Sequence, residues 1–351
     1  MDSSERDEPT DGVPDSPRGL DEQLRTVVER SETGAPAVGS KVRDRFATNE
    51  IYQRVVVYGD YELTAGRREL FFSGLAGGFA IAITFLLYAE VAGQTDGAPV
   101  LSAALYPLGF IYIILGGYQL YTENTLPPVA LVLERLASVP LLLRVFALVL
   151  LGNAVGAALG AVVLAETGVF STVAFETAVA IGEEGVGTAP VDLFFKGVFA
   201  GLIVAGVVWM DFAADSTAAR LVLIYLAFLS IPVAGLYHVV VSFTELVFVV
   251  LAADVALLDG LVGFILPVLL GNTLGGIVLV TVVNYYQTTP RRLEAVRNPE
   301  VEDPLSLRES LLGGLVGRGY VDPAPRTDGG DGRASGGTPG ASDTGLDGRT
   351  E

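Results

Sequence analysis

The sequence predicts an all-α polytopic membrane protein with six transmembrane helices arranged as a 3+3 inverted repeat, in which the second and fifth helices are broken. Charged residues are almost absent between about 70 and 285, and this region is apolar enough for repeated membrane crossings. Three short motifs within it recur in the same order at nearly one spacing. Each copy contains three apolar spans. Because an odd number of crossings reverses topology, the second copy is expected to lie upside down in the membrane.

The repeat is visible as three pairs of similar motifs, separated by 123, 122 and 119 residues. The pairs are Phe71–Gly78 with Phe194–Gly201, Tyr121–Glu123 with Phe243–Glu245, and Leu150–Gly156 with Leu269–Gly275. Inverted repeats with a site near the membrane midplane are typical of proteins that move solutes.

Composition excludes several other classes. The chain has 351 residues, of which 51% are hydrophobic and 18% charged, with a net charge of −18. Such acidity argues against nucleic-acid binding, which needs a basic surface. No cysteine and a single histidine exclude disulfides and a multi-histidine metal centre, so no metal or cofactor is expected. Acidic residues combined with only two lysines, Lys41 and Lys196, suggest a halophilic source; an acidic disordered tail is the alternative.

Four regions are predicted along the chain. They are a disordered acidic N-terminal tail over 1–41 with a short helix near 20–31, a cytoplasmic interfacial segment over 42–69, a transmembrane domain over 70–286 with repeats 70–165 and 191–286, and a largely disordered cytoplasmic tail over 287–351. The predicted spans cover about 70–92, 142–165, 193–210, 220–252 and 261–284, and the second span begins near 100, is interrupted at 122–128 and resumes at Val129.

Polar and helix-breaking residues interrupt the second and fifth spans. The second contains Thr122–Asn124 and then Pro127-Pro128, and the fifth contains Pro232, Gly235 and His238. Backbone that leaves the helix at membrane depth is tolerated only where protein or a water-filled cavity covers it, and paired interruptions indicate a transport site. The alternative is two ordinary spans that end early, with 129–139 and 246–252 as links.

Arginine placement predicts the orientation in the membrane. Basic residues occur before the first span, between the second and third, between the fourth and fifth, and after the sixth, whereas the other three links are acidic. By the positive-inside rule, this distribution predicts a multi-pass protein of the cell membrane with both termini cytoplasmic.

The motifs resemble those of the formate/nitrite transporter family. The similar stretches are Gln119–Thr122, Gly152–Gly156, Phe194–Gly197, Gly235–His238 and Gly271–Gly276, which occur in the family's order over about 70–286. The resemblance implies aquaporin-like protomers that assemble as a homopentamer with one pore each. The chain departs from the best-known branch at Gly201 and Ser242, where that branch has asparagines, and at Tyr237, where it has glutamate.

His238 is the main candidate for chemistry. An ionisable side chain inside an apolar span is costly and is by default a functional-site hypothesis, and imidazole exchanges protons near neutral pH. In the family the matching histidine lines the pore, which implies that it protonates the passing anion. Thr122 would face it if both breaks meet at the midplane, and Lys196 at the start of the fourth span could attract anions. The alternatives are a buried structural histidine, a helix-end cap and a snorkelling lysine.

Further candidates complete the predicted substrate pathway. The resemblance implies apolar constrictions at Tyr106, Phe110 and Leu120, with Ile231 nearby, and its loop motif includes Tyr121. Gly201 and Ser242, where the best-known branch has asparagines, are placed on the pathway as well. Glu123 and Glu245 match in the repeat, and they either relay protons to His238 or cap the half-helices that follow. The glycine-flanked Asn153 and Asn272 are interpreted as structural, because their amides can bond across helices or to the breaks.

The leading hypothesis is a channel or secondary transporter for a small monovalent anion such as formate or nitrite, with His238 and Thr122 at its centre. A pore for a neutral or cationic solute, which would use Glu123 and Glu245, remains open, as does a membrane anchor without transport. An intramembrane hydrolase is not supported, because the sequence has no Gly-x-Ser-x-Gly or His-Glu-x-x-His motif and no cysteine nucleophile.

Overall fold

The computed structural model describes residues 46–288 and 303–321, and within these ranges the chain is helical. The helices are α1 (Thr48–Thr64), α2 (Arg67–Gln94), α3 (Pro99–Ala103), α4 (Pro107–Gly116), α5 (Pro127–Leu133), α6 (Val139–Glu166), α7 (Thr172–Gly187), α8 (Pro190–Ala213), α9 (Thr217–Val233), α10 (Val239–Ala252), α11 (Leu257–Gln287) and α12 (Leu307–Leu312). The predicted helix near 20–31 lies outside the described residues.

Five helical segments of this part are long and apolar enough to cross a membrane. They are Arg67–Gln94, Pro99–Gly116, Val139–Glu166, Pro190–Ala213 and Leu257–Gln287. The predicted fifth span is divided between two shorter apolar helices, α9 and α10. The prediction of an all-helical polytopic membrane protein is therefore confirmed.

Two pairs of long helices pack closely, α2 against α6 and α8 against α11. The pairs meet at glycines for which any side chain would overlap the neighbouring backbone. A Cβ at Gly78 would overlap Asn153, and a Cβ at Gly201 would overlap Asn272. Small residues permit this close approach, which is the usual way in which membrane helices associate without a hydrophobic driving force.

The second and fifth predicted spans are broken, as expected. Helix α4 ends at Gly116, Gly117 has the left-handed φ of 71°, and the chain forms a 3₁₀ turn at Glu123–Thr125 before α5. Helix α9 contains Pro232 near its end, Gly235 has a φ of 61°, and α10 begins at Val239. Because α10 is a 14-residue buried helix, 246–252 is not an external link, and the interpretation of a fifth span that ends early is wrong.

The geometry of the breaks corrects the repeat register there. Gly117 and Gly235, the two left-handed glycines, are 118 residues apart. The backbone N–H groups of Tyr121 and Val239, which make equivalent hydrogen bonds, are also 118 apart. The 122-residue match of Tyr121–Glu123 with Phe243–Glu245 is about one helical turn out of register. Glu123 and Glu245 are therefore not equivalent, because Glu123 begins the 3₁₀ turn whereas Glu245 lies in the middle of α10.

Two further segments form helices beside the spans. The predicted interfacial segment contains α1, which packs mainly on α5. The acidic connection between the third and fourth spans, expected only as a link, contains the 16-residue helix α7, which packs on α2 and α10. Its buried face consists of small residues, Ala174, Ala178, Gly182 and Gly185, which allow close packing despite several exposed acids.

Residues 303–321 of the predicted C-terminal tail pack on the link between α5 and α6. The amide of Leu305 donates to the Arg135 carbonyl oxygen, and the amide of Val321 donates to the Leu136 carbonyl oxygen, each at 2.8 Å. The Ser138 hydroxyl donates to the Gly313 carbonyl oxygen at 2.9 Å. Leu305 and Val321 are fully buried, so this part of the tail belongs to the folded protein.

Candidate functional site

Thr122 and His238, which lie in the two breaks, are hydrogen-bonded to each other. The Thr122 Oγ1 and His238 Nε2 atoms are 2.8 Å apart, and each residue is 1% exposed. Thr122 immediately precedes the 3₁₀ turn at Glu123–Thr125, and His238 immediately precedes α10. The structure thus brings together the two residues that the sequence analysis expected to face each other.

Asn153 and Asn272 hold the two breaks in place. Asn153 Oδ1 accepts from the Tyr121 amide at 2.8 Å, and its Nδ2 donates to the carbonyl oxygens of Gly74 and Gln119. Asn272 repeats this pattern with the Val239 amide at 2.9 Å and the carbonyl oxygens of Gly197 and Tyr237. Each asparagine therefore satisfies one amide and one carbonyl at a break and ties them to a neighbouring helix through Gly74 or Gly197. Such backbone groups are costly in hydrocarbon when they have no partner.

The surroundings of His238 are apolar. Its ring packs edge-on against Phe110, with 5.0 Å between the ring centroids. Its Nδ1 is buried and has no hydrogen-bond partner among the residues that the structure describes. The Thr122 hydroxyl can donate to a neutral imidazole nitrogen or accept from a protonated one, so the contact at Nε2 suits either protonation state.

Aromatic rings extend from Phe110 in two directions. Tyr106 lies 5.7 Å from Phe110 between centroids, and Tyr88 lies 5.7 Å from Tyr106. Phe228 of α9 stacks on Phe110 at 3.8 Å, and sequence reasoning missed it because it carries no motif. The predicted constriction residues Leu120 and Ile231 are fully buried in the same hydrophobic cluster.

Lys196, Ser242 and Tyr121 lie around the breaks. The Nζ of the half-buried Lys196 is 5.4 Å from the centroid of the Tyr237 ring, beside the break of the fifth span. Ser242 is one turn beyond His238, and its buried Oγ has no partner within the described ranges. The hydroxyl of Tyr121 contacts Thr273 Oγ1 at 2.8 Å.

Gly201 does not lie with the residues around the two breaks. The sequence analysis placed it on the substrate pathway because the related branch has asparagine there. In the structure its Cα faces the Asn272 backbone, where no side chain fits. Its position serves the packing of α8 on α11.

Glu245 is buried, at 6% exposure, and it does not cap a half-helix. Helix α10 begins at Val239, so Glu245 lies in the helix interior, beyond the reach of the free N–H groups of the first turn. Its Oε2 has no hydrogen-bond partner in the described part of the chain. The capping interpretation is therefore wrong for Glu245.

A cavity of about 340 Å³ opens beside the break of the second span, and we call it the vestibule. It is bounded by α1, the break, α8 and α9, and its charged lining residues are Arg54, Glu62, Glu123, Asp211 and Arg220. Arg220 and Asp211 form a two-pronged ion pair, with distances of 2.5 and 2.8 Å. Glu123 therefore faces a cavity, as one of its two predicted roles requires.

Sequence reasoning missed Glu62, the most buried acid of the vestibule. Its Oε1 accepts from Gln119 Nε2 at 3.2 Å, and Gln119 Oε1 accepts from Asn124 Nδ2 at 2.8 Å. Burial raises the pKa of Glu62 to about 8, although the hydrogen bond from Gln119 acts in the opposite direction. The sequence gives no local indication of this role, because Glu62 lies in a polar segment and is 57 residues from Gln119 along the chain.

The broken helices, their asparagine anchors and the buried His238–Thr122 contact define a polytopic membrane protein of the transporter and channel class. A family model described as formate/nitrite transporter matches residues 49–286. The chain therefore belongs to the formate/nitrite transporter family.

Individual relatives agree with this assignment. The inner membrane protein YfdC of Escherichia coli is 28% identical over 260 residues, covering 71% of this chain and 83% of the relative. The formate channel FocA of Haemophilus influenzae is 24% identical over 247 residues, covering 62% and 86%. The first is described as an inner membrane protein and the second as a channel, and the apolar helices of this chain agree with a place in the cell membrane.

Two solved structures share the fold. One, described as an ion channel of the same family, has a TM-score of 0.60 at 20% identity and covers 68% of this chain and 99% of its own. The other, described as a pentameric formate channel with formate bound, has a TM-score of 0.55 at 21% identity and covers 63% and 97%. The aquaporin-like architecture expected from the resemblance is therefore confirmed.

Proposed function

We propose that this protein conducts a small monovalent anion of the formate or nitrite type across the cell membrane, with proton transfer at His238. The observation that carries the proposal is the buried hydrogen bond between His238 and Thr122, at the point where both broken helices meet. The relative described as a formate channel and the neighbour with bound formate support the choice of anion.

The proposed mechanism transfers one proton between His238 and the anion. A protonated imidazole gives its N–H proton to a carboxylate or nitrite oxygen, which leaves a neutral imidazole and a neutral acid. The neutral acid crosses the aromatic and aliphatic rings around Phe110 and Leu120, where a charged species would meet a desolvation barrier. Water on the far side takes the proton from the acid, and water on the near side protonates the imidazole again.

Thr122 and Lys196 have supporting roles in this proposal. The Thr122 hydroxyl reorients with the protonation state of His238, because it can both donate and accept. Lys196 lies beside Gly235 and Tyr237 at the break of the fifth span, where its positive charge would raise the local anion concentration. We also propose a homopentamer with one pathway in each protomer and both termini in the cytoplasm, in keeping with the pentameric neighbour and the arginine distribution.

The test is solute flux into proteoliposomes at two pH values. Formate, nitrite, acetate and hydrosulfide are compared for the native protein and His238→Ala, and Thr244→Val serves as a control at a buried hydroxyl away from the His238 contact. We expect His238→Ala to lose most of the flux and its dependence on pH, and Thr244→Val to keep both. Equal rates in the native protein and His238→Ala would refute proton transfer at this residue.

A pore for a neutral or cationic solute is the second candidate. The carboxylates of Glu62, Glu123 and Asp211 around the vestibule favour it, because ionised acids oppose anion passage. This candidate predicts a selective cation current that Glu123→Gln abolishes. Formate flux without any cation current would exclude it, and a membrane anchor would show no solute flux under any condition.

A further inference from the structure

We propose that Glu62 and Glu123 form a proton-binding site in the vestibule, in which the two carboxylates share one proton. The binding of a proton at this pair does not depend on transport. Its use during transport rests on the proposed function, which would need a reservoir of protons beside the break that carries Thr122.

Glu62 has no counter-ion in the part of the chain that the structure describes. It is 3% exposed, its Oε1 accepts only the amide of Gln119, and its Oε2 has no hydrogen-bond partner in residues 46–288 and 303–321. A buried carboxylate without a partner is expensive when ionised and takes up a proton instead. A protonated Glu62 also requires an acceptor for its O–H group.

Among the described residues, Glu123 is the other carboxyl group of the cavity with an unpartnered oxygen, and in this proposal it is that acceptor. Glu123 lines the same cavity, and its Oε1 is likewise buried without a partner within the described ranges. Two carboxylates in one cavity are costly to ionise together, and one proton held between them would satisfy both orphaned oxygens.

Other ionisable groups also face the pair. Arg220 of α9 is bound by Asp211 of α8, and Arg54 of α1 donates to the Phe212 carbonyl oxygen and covers the Phe46 ring. Arg144 of α6 donates to the carbonyl oxygen of Leu63, next to Glu62. The ionisable groups that line the vestibule around the pair are Arg54, Tyr58, Tyr118, Asp211 and Arg220, and Arg144 lies beside Leu63. Each of these arginines donates to another group, and no ion pair joins an arginine to Glu62 or Glu123 among the described residues.

The pair is also linked to the break itself. Asn124 bonds Gln119, and Gln119 bonds Glu62, so a chain of amides joins the carboxyl group to the turn that contains Glu123. Thr122, the residue before Glu123, holds His238. A proton bound at the pair is therefore stored beside the backbone segment that supports the candidate site.

The experiment is infrared difference spectroscopy of the full-length protein in lipid, which reads the carbonyl stretch of a protonated carboxylic acid. We expect a band at neutral pH that titrates away on alkalinisation near the raised pKa of about 8. The part of this band that belongs to Glu62 should be missing in Glu62→Gln and retained in Glu176→Gln, a control at an exposed acid of α7, whereas the buried Glu245 contributes equally to all three proteins. An unchanged band in Glu62→Gln would overturn the proposal.

Glu123→Gln provides a second test that does not require Glu62 to be altered. Removing the neighbouring carboxylate should lower the proton affinity of Glu62 about tenfold, so the band disappears at a lower pH. An unmoved titration would show that the two groups do not share a proton.

Neither readout requires a transported solute, so failure of this proposal and failure of the proposed function are distinguishable. A normal band without formate flux would refute the proposed function and leave the proton site standing. Formate flux that depends on His238, with a band insensitive to both substitutions, would refute the proton site alone.

Discussion

At the scale of single residues, the polar groups of this protein are placed where the helical backbone is interrupted. Asn153 and Asn272 each make three hydrogen bonds to backbone groups at a break or at a neighbouring helix. Thr122 and His238 bond to each other from the two breaks. The interruptions thus create both the need for these side chains and the space in which they meet.

The asparagine anchors should be essential for stability. In Asn272→Leu, the Val239 amide and the Tyr237 carbonyl at the break lose their partner, which costs roughly 2–4 kcal/mol of folding free energy. We expect a clear fall in the melting temperature of the detergent-solubilised protein, and a similar fall for Asn153→Leu. Asn284→Leu is the control, because the Asn284 amide donates within its own helix. Equal melting temperatures for all three variants would contradict the anchoring role.

The hydroxyl of Thr122 should matter more than its methyl group. Thr122→Val removes the hydroxyl at nearly constant volume and leaves His238 Nε2 without its partner, so formate flux should fall about tenfold. Thr122→Ser keeps the hydroxyl and should retain most of the flux. Flux measurements on proteoliposomes compare the two variants with Thr244→Val. The hydroxyl would have no role if Thr122→Val and Thr122→Ser were equally active.

At the scale of elements, the sequence predicted the breaks because their causes are local. Pro127-Pro128, Pro232 and the polar residues around them interrupt apolar runs, and such interruptions are visible without a structure. The repeat register at the breaks was predicted wrongly. Tyr121–Glu123 and Phe243–Glu245 are chemically similar and 122 residues apart, whereas the equivalent backbone positions of the two breaks are 118 residues apart. Glu62 and Phe228 were missed because only tertiary contacts bring them to the vestibule and to Phe110.

Residues 303–321 should act as one unit with the link between α5 and α6. Leu305→Asp would place a charge at a fully buried position, and the amides of Ser138, Leu305 and Val321 should then exchange hydrogen faster together. Leu307→Asp is the matched control, because Leu307 is 72% exposed in the same segment. Hydrogen exchange followed by mass spectrometry measures the effect. Exchange that rises only at residue 305 would contradict a cooperative unit.

At the scale of the whole molecule, one architecture has to hide polar groups from lipid and expose them to a passing solute. The close packing of α2 on α6 and of α8 on α11 provides rigid walls, while the breaks and the vestibule carry the ionisable groups. Family membership could be inferred from the motifs because they are the packing glycines and anchors of those walls. The acids of the vestibule lie outside these motifs, so resemblance alone does not assign them a role.

The buried acid Glu62 should make the stability of the whole protein depend on pH. Helix α1 lies outside the membrane-spanning segments, and burial raises the pKa of Glu62 from 4.5 to about 8. Between these values the folded state retains a proton that the unfolded state has lost, so stability is greatest at low pH within this window and falls as pH rises towards 8. Melting temperatures measured between pH 5 and pH 8 should decline more steeply for the native protein than for Glu62→Gln, which cannot ionise. The exposed substitution Glu176→Gln should leave the native slope unchanged. Parallel curves for the native protein and Glu62→Gln would mean that this carboxyl group is already ionised in the folded state.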